Sequence, residues 1–434
     1  MTTKIPPKKK VKKAGKANLE ALGVKGMSDI LPKDGELWKL IMETGRHLSE
    51  LYDFHFIETP TLESPEIFLA GLGEKAEEAA KKMYSFKTPE GEDVALRQDL
   101  SAPVLRSYIE HHLGYFASPL KVYHTGSVFR FGKLDNGNNR EIRQWGFDII
   151  GDNDAVYDMQ VILASLEFLK QLKFPNLRLK INTMGCRVCR NNYHEKLKAY
   201  FRKQKVCGTC KVNVEERPLR LFKCVEAECI EVRKEAPIIL DHLCQACNNH
   251  FKAVLELVED NGVLYEPDPY FVREKEYYSR TVFEIYSGDY EHSLAGGGRY
   301  DYLSEMLFKK IIPGVGSALS LDRILEQVKL RNTMPRARNN NRVFFIAVGE
   351  QAKKMSVRFM NTLRMNNIAV VEALGKKTLT AQMKFGERVR APLALIFGQK
   401  EAFENSVIVR DTKSGAQETV ILEKLVEEVK KRLR

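Results

Sequence analysis

Eight cysteines lie between Cys186 and Cys247, and none lies elsewhere in the 434 residues. Cys186/Cys189, Cys207/Cys210 and Cys244/Cys247 are C-x-x-C pairs, and Cys224/Cys229 is a looser fourth. Thiols crowded into one stretch are either a disulfide framework or a set of metal ligands. No apolar h-region opens the chain and no run of 18 apolar residues occurs in it. That predicts neither a secretion signal nor a membrane span, and a reducing, cytoplasmic location where disulfides do not persist. The pairs therefore read as ligands for tetrahedral Zn²⁺, because two thiolates from one turn chelate an ion with little extra ordering. Eight ligands make two four-cysteine sites, structural ones, since four thiolates leave no open coordination position. The spacing does not decide how the four pairs combine. The segment is expected to be a separate helical module, 186–262, inserted into a larger domain.

Arg331 to Asn341 holds three Arg, one Pro and four Asn and has no apolar period, so 331–341 reads as a linker. Beyond it, Val343–Val348, Ile368–Val371 and Leu393–Phe397 are short apolar strands alternating with helical patterns. The chain ends in an amphipathic pattern over Leu422–Leu433. Residues 342–434 are thus expected to form a small α/β domain with a largely parallel sheet. At the other end, seven lysines precede the first acid, Glu20, and account for much of the formal charge of +12. Residues 1–20 have too little apolar content to fold alone. They are expected to be a disordered basic tail, either a contact for nucleic acid or simply solvated.

The remaining stretches, 21–185 and 263–330, read as one α+β domain. Asp34 is the expected N-cap of a helix whose apolar face carries Leu37, Ile41, Leu48 and Leu51. Strand-like runs then dominate: His55–Thr61, Val94–Asp99, Lys121–Phe131, Arg140–Ile150, Leu177–Thr183, Arg280–Tyr286 and Gly316–Leu321. A large mixed or antiparallel sheet with helices on one face is expected.

Strand alternation gives the first functional clue. From Arg140 to Ile150, one face holds Trp145, Phe147 and Ile149, and the other Arg140, Gln144, Gly146 and Asp148. A carboxylate and an amide over a glycine leave room for a ligand, although a solvated strand face would look similar. Arg97, Asp99 and Ser101 form a comparable row. Arg130 and Arg323 lie at strand ends, and Arg273 and Arg280 flank Tyr277 and Tyr278. Arginines converging on one cavity indicate a polyphosphate, which they bind bidentately. No P-loop and no well-placed G-x-G-x-x-G is present.

With these residues in place, the chain resembles the histidyl-tRNA synthetases, class II aminoacyl-tRNA synthetases, over nearly everything after residue 20. Lys25–Pro32 is similar to the family's opening signature, and the segment leading to Glu58-Thr59-Pro60 to motif 1, which builds the family's dimer interface. Phe129-Arg130 with Arg140-Glu141 and Gln144 resembles motif 2, and Gly314–Arg323 resembles motif 3. Arg273 with Tyr277–Glu284, and Ala295–Asp301, resemble the two histidine-specific motifs. The resemblance implies a catalytic core split between 21–185 and 263–330, and an anticodon-binding domain over 342–434. It implies ligation of L-histidine to tRNA(His) through an adenylate, with ATP, Mg²⁺ and a homodimer. By motif position, Asp99, Ser101 and Gln144 would hold the α-amino group, and Tyr278, beside Tyr277, and Asp148 the imidazole. Arg130 and Arg273 would meet the α-phosphate, as the catalytic pair, and Arg323 the γ-phosphate. Asn182–Cys186 and the paired cysteines resemble an insertion that embraces the acceptor stem in relatives.

Three departures from the family pattern stand out. Gly132 replaces an acidic residue, Gly137-Asn138-Asn139-Arg140 replaces Gly-Arg-Tyr-Arg, and Arg273-Glu274-Lys275-Glu276-Tyr277-Tyr278 replaces Arg-Gly-Leu-Asp-Tyr-Tyr. The first two, in motif 2, motivate one alternative, a paralogue that binds RNA or a partner without charging tRNA. A second is the regulatory subunit of ATP phosphoribosyltransferase, which would lack the C-terminal domain and Arg273.

Overall fold

Most of the expected strands assemble into one eight-stranded sheet in the computed structural model. It describes residues 23–69, 80–132, 139–273, 275, 277–331, 342–374, 378–389 and 391–433. The basic tail and residues 332–341 of the linker lie outside the described residues. The chain divides into two compact units that part near residue 335.

The first unit's sheet contains β1 (His55–Phe56), β2 (Leu120–Phe129), β3 (Glu141–Ile150), β4 (Leu177–Thr183), β5 (Tyr265–Pro267), β6 (Ser279–Ser287), β7 (Ala295–Arg299) and β8 (Gly314–Ser320). Their order is β1-β2-β3-β8-β7-β6-β4-β5. Pairing is antiparallel from β2 through to β4, and the edge pairs β1–β2 and β4–β5 are parallel. The helices α1 (Gly35–Leu51), α2 (Ala155–Gln171), α3 (Gln245–Asp260) and α4 (Leu321–Arg331) contribute to the main core with the sheet. As alternation predicts, Trp145, Phe147 and Ile149 turn into that core, joined by Ile41, Phe168, Val254, Phe283 and Ile324. Each such side chain contributes about 1.5–3 kcal/mol when fully buried. The opposite face of the sheet is left for the site.

Local differences from the sequence reading have physical causes. Only His55–Phe56 of the first run is a strand. Pro60 cannot donate to a ladder, and the Thr59 carbonyl is taken by Arg97 Nη1 at 2.8 Å. Asp34 precedes α1 but its carboxylate makes no cap bond. It accepts from Lys329 Nζ of α4 at 2.9 Å instead. Asp154 caps α2, accepting from the Val156 N–H at 2.9 Å.

The cysteine-rich segment is helical, with helices Arg187–Phe201, Gly208–Asn213 and Ala227–Lys234 joined by 3₁₀ turns. The helix that ends it, α3, carries Cys247 in its first turns and places Phe251, Val254 and Val258 in the main core.

One charged cluster is fully enclosed. The Arg299 guanidinium, 0% exposed, meets Asp158 of α2 at 2.6 Å and Asp301 at 3.2 Å. Burial works to raise the Asp158 pKa, but Arg299 and then His250 hold it below its ordinary value. Asp301 also accepts from Ser279 Oγ at 2.8 Å and the Gly314 N–H at 3.1 Å.

The second unit has β9 (Arg342–Ala347), β10 (Ala369–Glu372), β11 (Leu393–Phe397), β12 (Ser406–Asp411) and β13 (Gln417–Ile421), in the order β10-β9-β11-β12-β13. The first two pairings are parallel and the last two antiparallel. The expected largely parallel sheet is therefore half antiparallel. The last pairing is a hairpin: Asp411 Oδ1 accepts from the Lys413 and Ser414 N–H groups at 2.9 and 2.7 Å, and Gly415 takes φ +74°. The helix Leu425–Leu433 follows a 3₁₀ turn at Leu422–Lys424.

Candidate active site and cysteine clusters

Register aligns five glycines on the open face of the sheet. Gly126 faces Gln144, His124 faces Gly146, Asp148 faces Gly316, Gly316 faces Gly298, and Gly296 faces Glu284. At all five a Cβ would come within 3.0 Å of a neighbouring atom, and two are the tightest. A Cβ on Gly146 would lie 2.0 Å from the His124 ring, and one on Gly316 would lie 1.9 Å from Asp148 Oδ1. The strands thus form a floor on which polar groups lie flat.

Asp148 stands at one end of that floor with no exposed surface. Its Oδ2 accepts from Ser101 Oγ at 3.1 Å and lies 2.6 Å from His124 Nε2. Its Oδ1 accepts from Tyr300 OH at 2.7 Å. Burial first, and Asp148 second, push the Tyr300 pKa well above its ordinary value, so this phenol is a donor. Gln144 is buried on the same face of β3. The Tyr277 and Tyr278 rings meet near the site, tilted at 40° with centroids 4.8 Å apart. Burial drives the Tyr277 pKa well up, with Tyr278 and Asp99 adding to it and Arg130 opposing. Asp99 Oδ1 accepts from the Ala102 N–H at 3.0 Å, and its Oδ2 meets Lys275 Nζ at 3.4 Å. One substituted position of the histidine motif thus places an ammonium on the carboxylate expected to bind an amino group.

Arg273 lies across Gly296, where a Cβ would come within 2.9 Å of its Nη2. Nη2 meets Glu284 Oε1 at 3.2 Å, and Tyr286 OH donates to Glu284 Oε2 at 2.6 Å. The guanidinium sits 5.8 Å from the Tyr278 ring, on the edge of a cavity of about 250 Å³ also lined by Lys180 and Tyr286. Arg130 is exposed, with Nε donating to the Gln98 carbonyl at 2.9 Å. Arg323, in the first turn of α4, donates from Nη1 to the Ser293 carbonyl at 2.9 Å. The preceding Asp322 accepts from Arg143 Nη1 and from the Arg143 N–H, both at 2.7 Å, which fixes the helix start at the Gln144 end of β3.

Asp99, Ser101, Asp148, Tyr277, Tyr278, Arg130 and Arg273 are therefore brought into one neighbourhood. Arg97 is not part of it: it is buried, its Nε on the Ser127 carbonyl at 2.9 Å, and it braces main chain. Arg140 stacks on Phe131 at 4.5 Å. His124, Tyr300, Lys275 and Glu284 had no assigned role in the sequence reading. Alternation in β2 places His124 and Gly126 on one face, a signal that was present.

The cysteines gather into two groups, Cys186/Cys189/Cys244/Cys247 and Cys207/Cys210/Cys224/Cys229, with all sulfurs in each within 4.8 Å of one another. This pairing is the one the spacing had left open. Zn–S bonds of about 2.3 Å put tetrahedral sulfurs about 3.8 Å apart. Cys186 and Cys244 lie at 3.9 Å, and Cys207 and Cys224 at 3.8 Å. Backbone N–H groups already point at sulfur, Cys244 to Cys189 at 3.0 Å and Cys207 to Cys229 at 3.3 Å. Such contacts orient thiolates around a metal. The Cys247 N–H draws the Cys244 thiol down to about 7, while burial pushes Cys229 up to about 11. Both groups fit Zn²⁺.

An antiparallel sheet with helices on one face and arginines laid over glycines on the other is the catalytic architecture of a class II aminoacyl-tRNA synthetase. A histidyl-tRNA synthetase family model matches residues 26–324, and an anticodon-binding-domain model matches 342–432. The chain is 33% identical over 413 residues to the histidine–tRNA ligase of Caldicellulosiruptor saccharolyticus, covering 94% of this chain and 99% of that one. It is 34% identical over 411 residues to that of Moorella thermoacetica, covering 94% and 97%. The crystal structure of apo histidyl-tRNA synthetase from S. aureus superposes with a TM-score of 0.78 at 29% identity, covering 94% and 99%. The chain belongs to the histidyl-tRNA synthetase family. The match over 342–432 weighs against the regulatory-subunit alternative, which would lack that domain.

Proposed function

We propose that the protein ligates L-histidine to tRNA(His) in two steps. The histidine carboxylate attacks the α-phosphorus of ATP, forming histidyl-adenylate and releasing pyrophosphate. A hydroxyl of the tRNA 3′-terminal ribose then attacks the adenylate's carbonyl carbon, and AMP leaves. Neither step needs a protein nucleophile, so the site acts by positioning and electrostatics.

The observation that carries this reading is the buried Asp148 carboxylate bonded by Tyr300 OH, with the Arg273 fork on the same glycine floor. Asp148, with Tyr278, takes the imidazole, and an amino acid unable to pair with these groups forfeits those hydrogen bonds in a buried site. Asp99, Ser101 and Gln144 take the α-amino group, with Lys275 yielding or sharing Asp99. Arg130 and Arg273 take the α-phosphate and Arg323 the γ-phosphate, while Mg²⁺ arrives as part of the ATP complex. The expected result is ATP–pyrophosphate exchange with histidine and with no other amino acid. A folded protein that binds tRNA yet gives no exchange is instead the non-charging paralogue, with the changed motif 2 loop as the first suspect.

Each cysteine group holds one structural Zn²⁺. Zinc binding contributes on the order of 10–16 kcal/mol in small modules, enough to order a segment with little core of its own. Elemental analysis should find one zinc per group; a protein prepared without chelators and containing none would sink this assignment. The protein acts in the cytoplasm, as its family does, and as a homodimer, the dimer resting on the likeness of the Glu58-Thr59-Pro60 segment to motif 1. No helix among the described residues is long and apolar enough to cross a membrane.

A further inference from the structure

The first cysteine group is built into the wall of the amino-acid pocket. Met184 and Gly185 join β4 to Cys186, and both pair through main chain with Arg280 of β6. The Met184 N–H donates to the Arg280 carbonyl at 2.6 Å, and the Arg280 N–H donates to the Gly185 carbonyl at 2.9 Å. Gly185 takes φ +59°, and a Cβ there would lie 2.7 Å from Cys189 Cβ. Loop and strand are therefore fitted together at the one residue type that allows it.

Cys186 is the N-cap of the helix Arg187–Phe201. In the first turn, Arg187 meets Glu305 at 2.6 Å and lies 4.3 Å over the Tyr302 ring. One turn on, Arg190 is buried, and its Nη2 donates to the Tyr278 main-chain carbonyl at 2.7 Å. Tyr278 precedes β6 and closes the site beside Arg273. A guanidinium fixed by a cysteine-capped helix thus holds the backbone of the residue assigned to the imidazole.

We propose that Arg190 is a positioning residue for histidine recognition, transmitting the order of the first cysteine group to the Tyr278 backbone. Arg190 touches no substrate; it acts through Tyr278. Losing it frees the carbonyl and lets the tyrosine ring drift, which weakens the grip on histidine and leaves the phosphate contacts alone. The helix that carries Cys229 meets the same segment at its far end, where Tyr270 OH donates to the Lys234 carbonyl at 2.7 Å.

The inference rests on the histidine-ligating reading, and the test separates the two. Pyrophosphate exchange is measured on wild type, Arg190→Met and Arg190→Lys, together with hydrogen exchange of the amides from residue 278 to 283. In Arg190→Met the KM for histidine should rise about tenfold, as expected when one charged hydrogen bond is lost, while the KM for ATP holds. Those amides should exchange faster, and Arg190→Lys should recover part of the loss. A second variant, Cys244→Ser, should lower the zinc content by one ion per chain and raise the histidine KM in the same direction. An unchanged histidine KM in Arg190→Met, or equal rises for both substrates, overturns the positioning role. A Cys244→Ser protein with less zinc and an unaltered histidine KM overturns the transmission. Absence of exchange in the wild type counts against the histidine-ligating reading itself.

Discussion

Arg273→Ala is expected to cut histidine-dependent pyrophosphate exchange by about 10²–10³-fold, through kcat, with the fold intact. This is the usual scale for removing one fixed donor aimed at charge that develops in a transition state. The guanidinium is held for that purpose. Glu284 pins Nη2 at 3.2 Å, Tyr286 in turn holds Glu284, and Gly296 lets the group lie flat. The substitution leaves Glu284 partly exposed and still bonded to Tyr286 OH, so no bare carboxylate is buried and stability should change little. Arg273→Lys keeps the charge but not the fork, and should recover only part of the rate. Near-wild-type exchange in the alanine variant, measured alongside a thermal melt, would remove Arg273 from the mechanism.

Asp148→Asn should lower kcat/KM for histidine by about 10²–10³-fold while the KM for ATP stays close to its wild-type value. Ser101 and Tyr300 hydroxyls both donate to this carboxylate, and His124 Nε2 lies 2.6 Å from it. An amide offers one acceptor oxygen in place of two and adds two donors, so a hydrogen bond to a charged group is lost and a buried neighbour is left facing an N–H. Arg130, Arg273 and Arg323 are held by Gln98, Glu284 and Ser293 and not by Asp148, which is why ATP should be spared. Steady-state kinetics with each substrate varied in turn decides the matter, and a parallel rise in the ATP KM would mean that the whole floor had shifted.

The architecture was legible where period and burial agree. In β3 the alternation of Trp145, Phe147 and Ile149 against Gln144, Gly146 and Asp148 stands as read, because one face has a core to fill and the other has a ligand to admit. His124 and Tyr300 escaped because their meaning depends on partners: each matters only once the sheet brings Asp148 alongside, and no local spacing encodes that. The cysteine groups show the same limit. The spacing announced pairs, but only the path of the helices joins Cys186/Cys189 to Cys244/Cys247. The hairpin after β12 was a different kind of miss, for Asp411 and Gly415 carry its turn chemistry openly.

Arg299 bears on how such a sequence can drift. It lies within the second histidine-specific motif, yet it points away from substrate into an enclosed cluster with Asp158 and Asp301. Removing one member of a buried charge set costs about 3–5 kcal/mol, whereas replacing the set together can be neutral. Single substitutions at these three positions are therefore barred by selection on folding before activity is ever tested. A descendant that had abandoned tRNA charging would lose the partly exposed Arg273 early and keep Arg299 long afterwards. Persistence of this arginine in a distant relative is thus a record of shared ancestry and says little about the work that relative does.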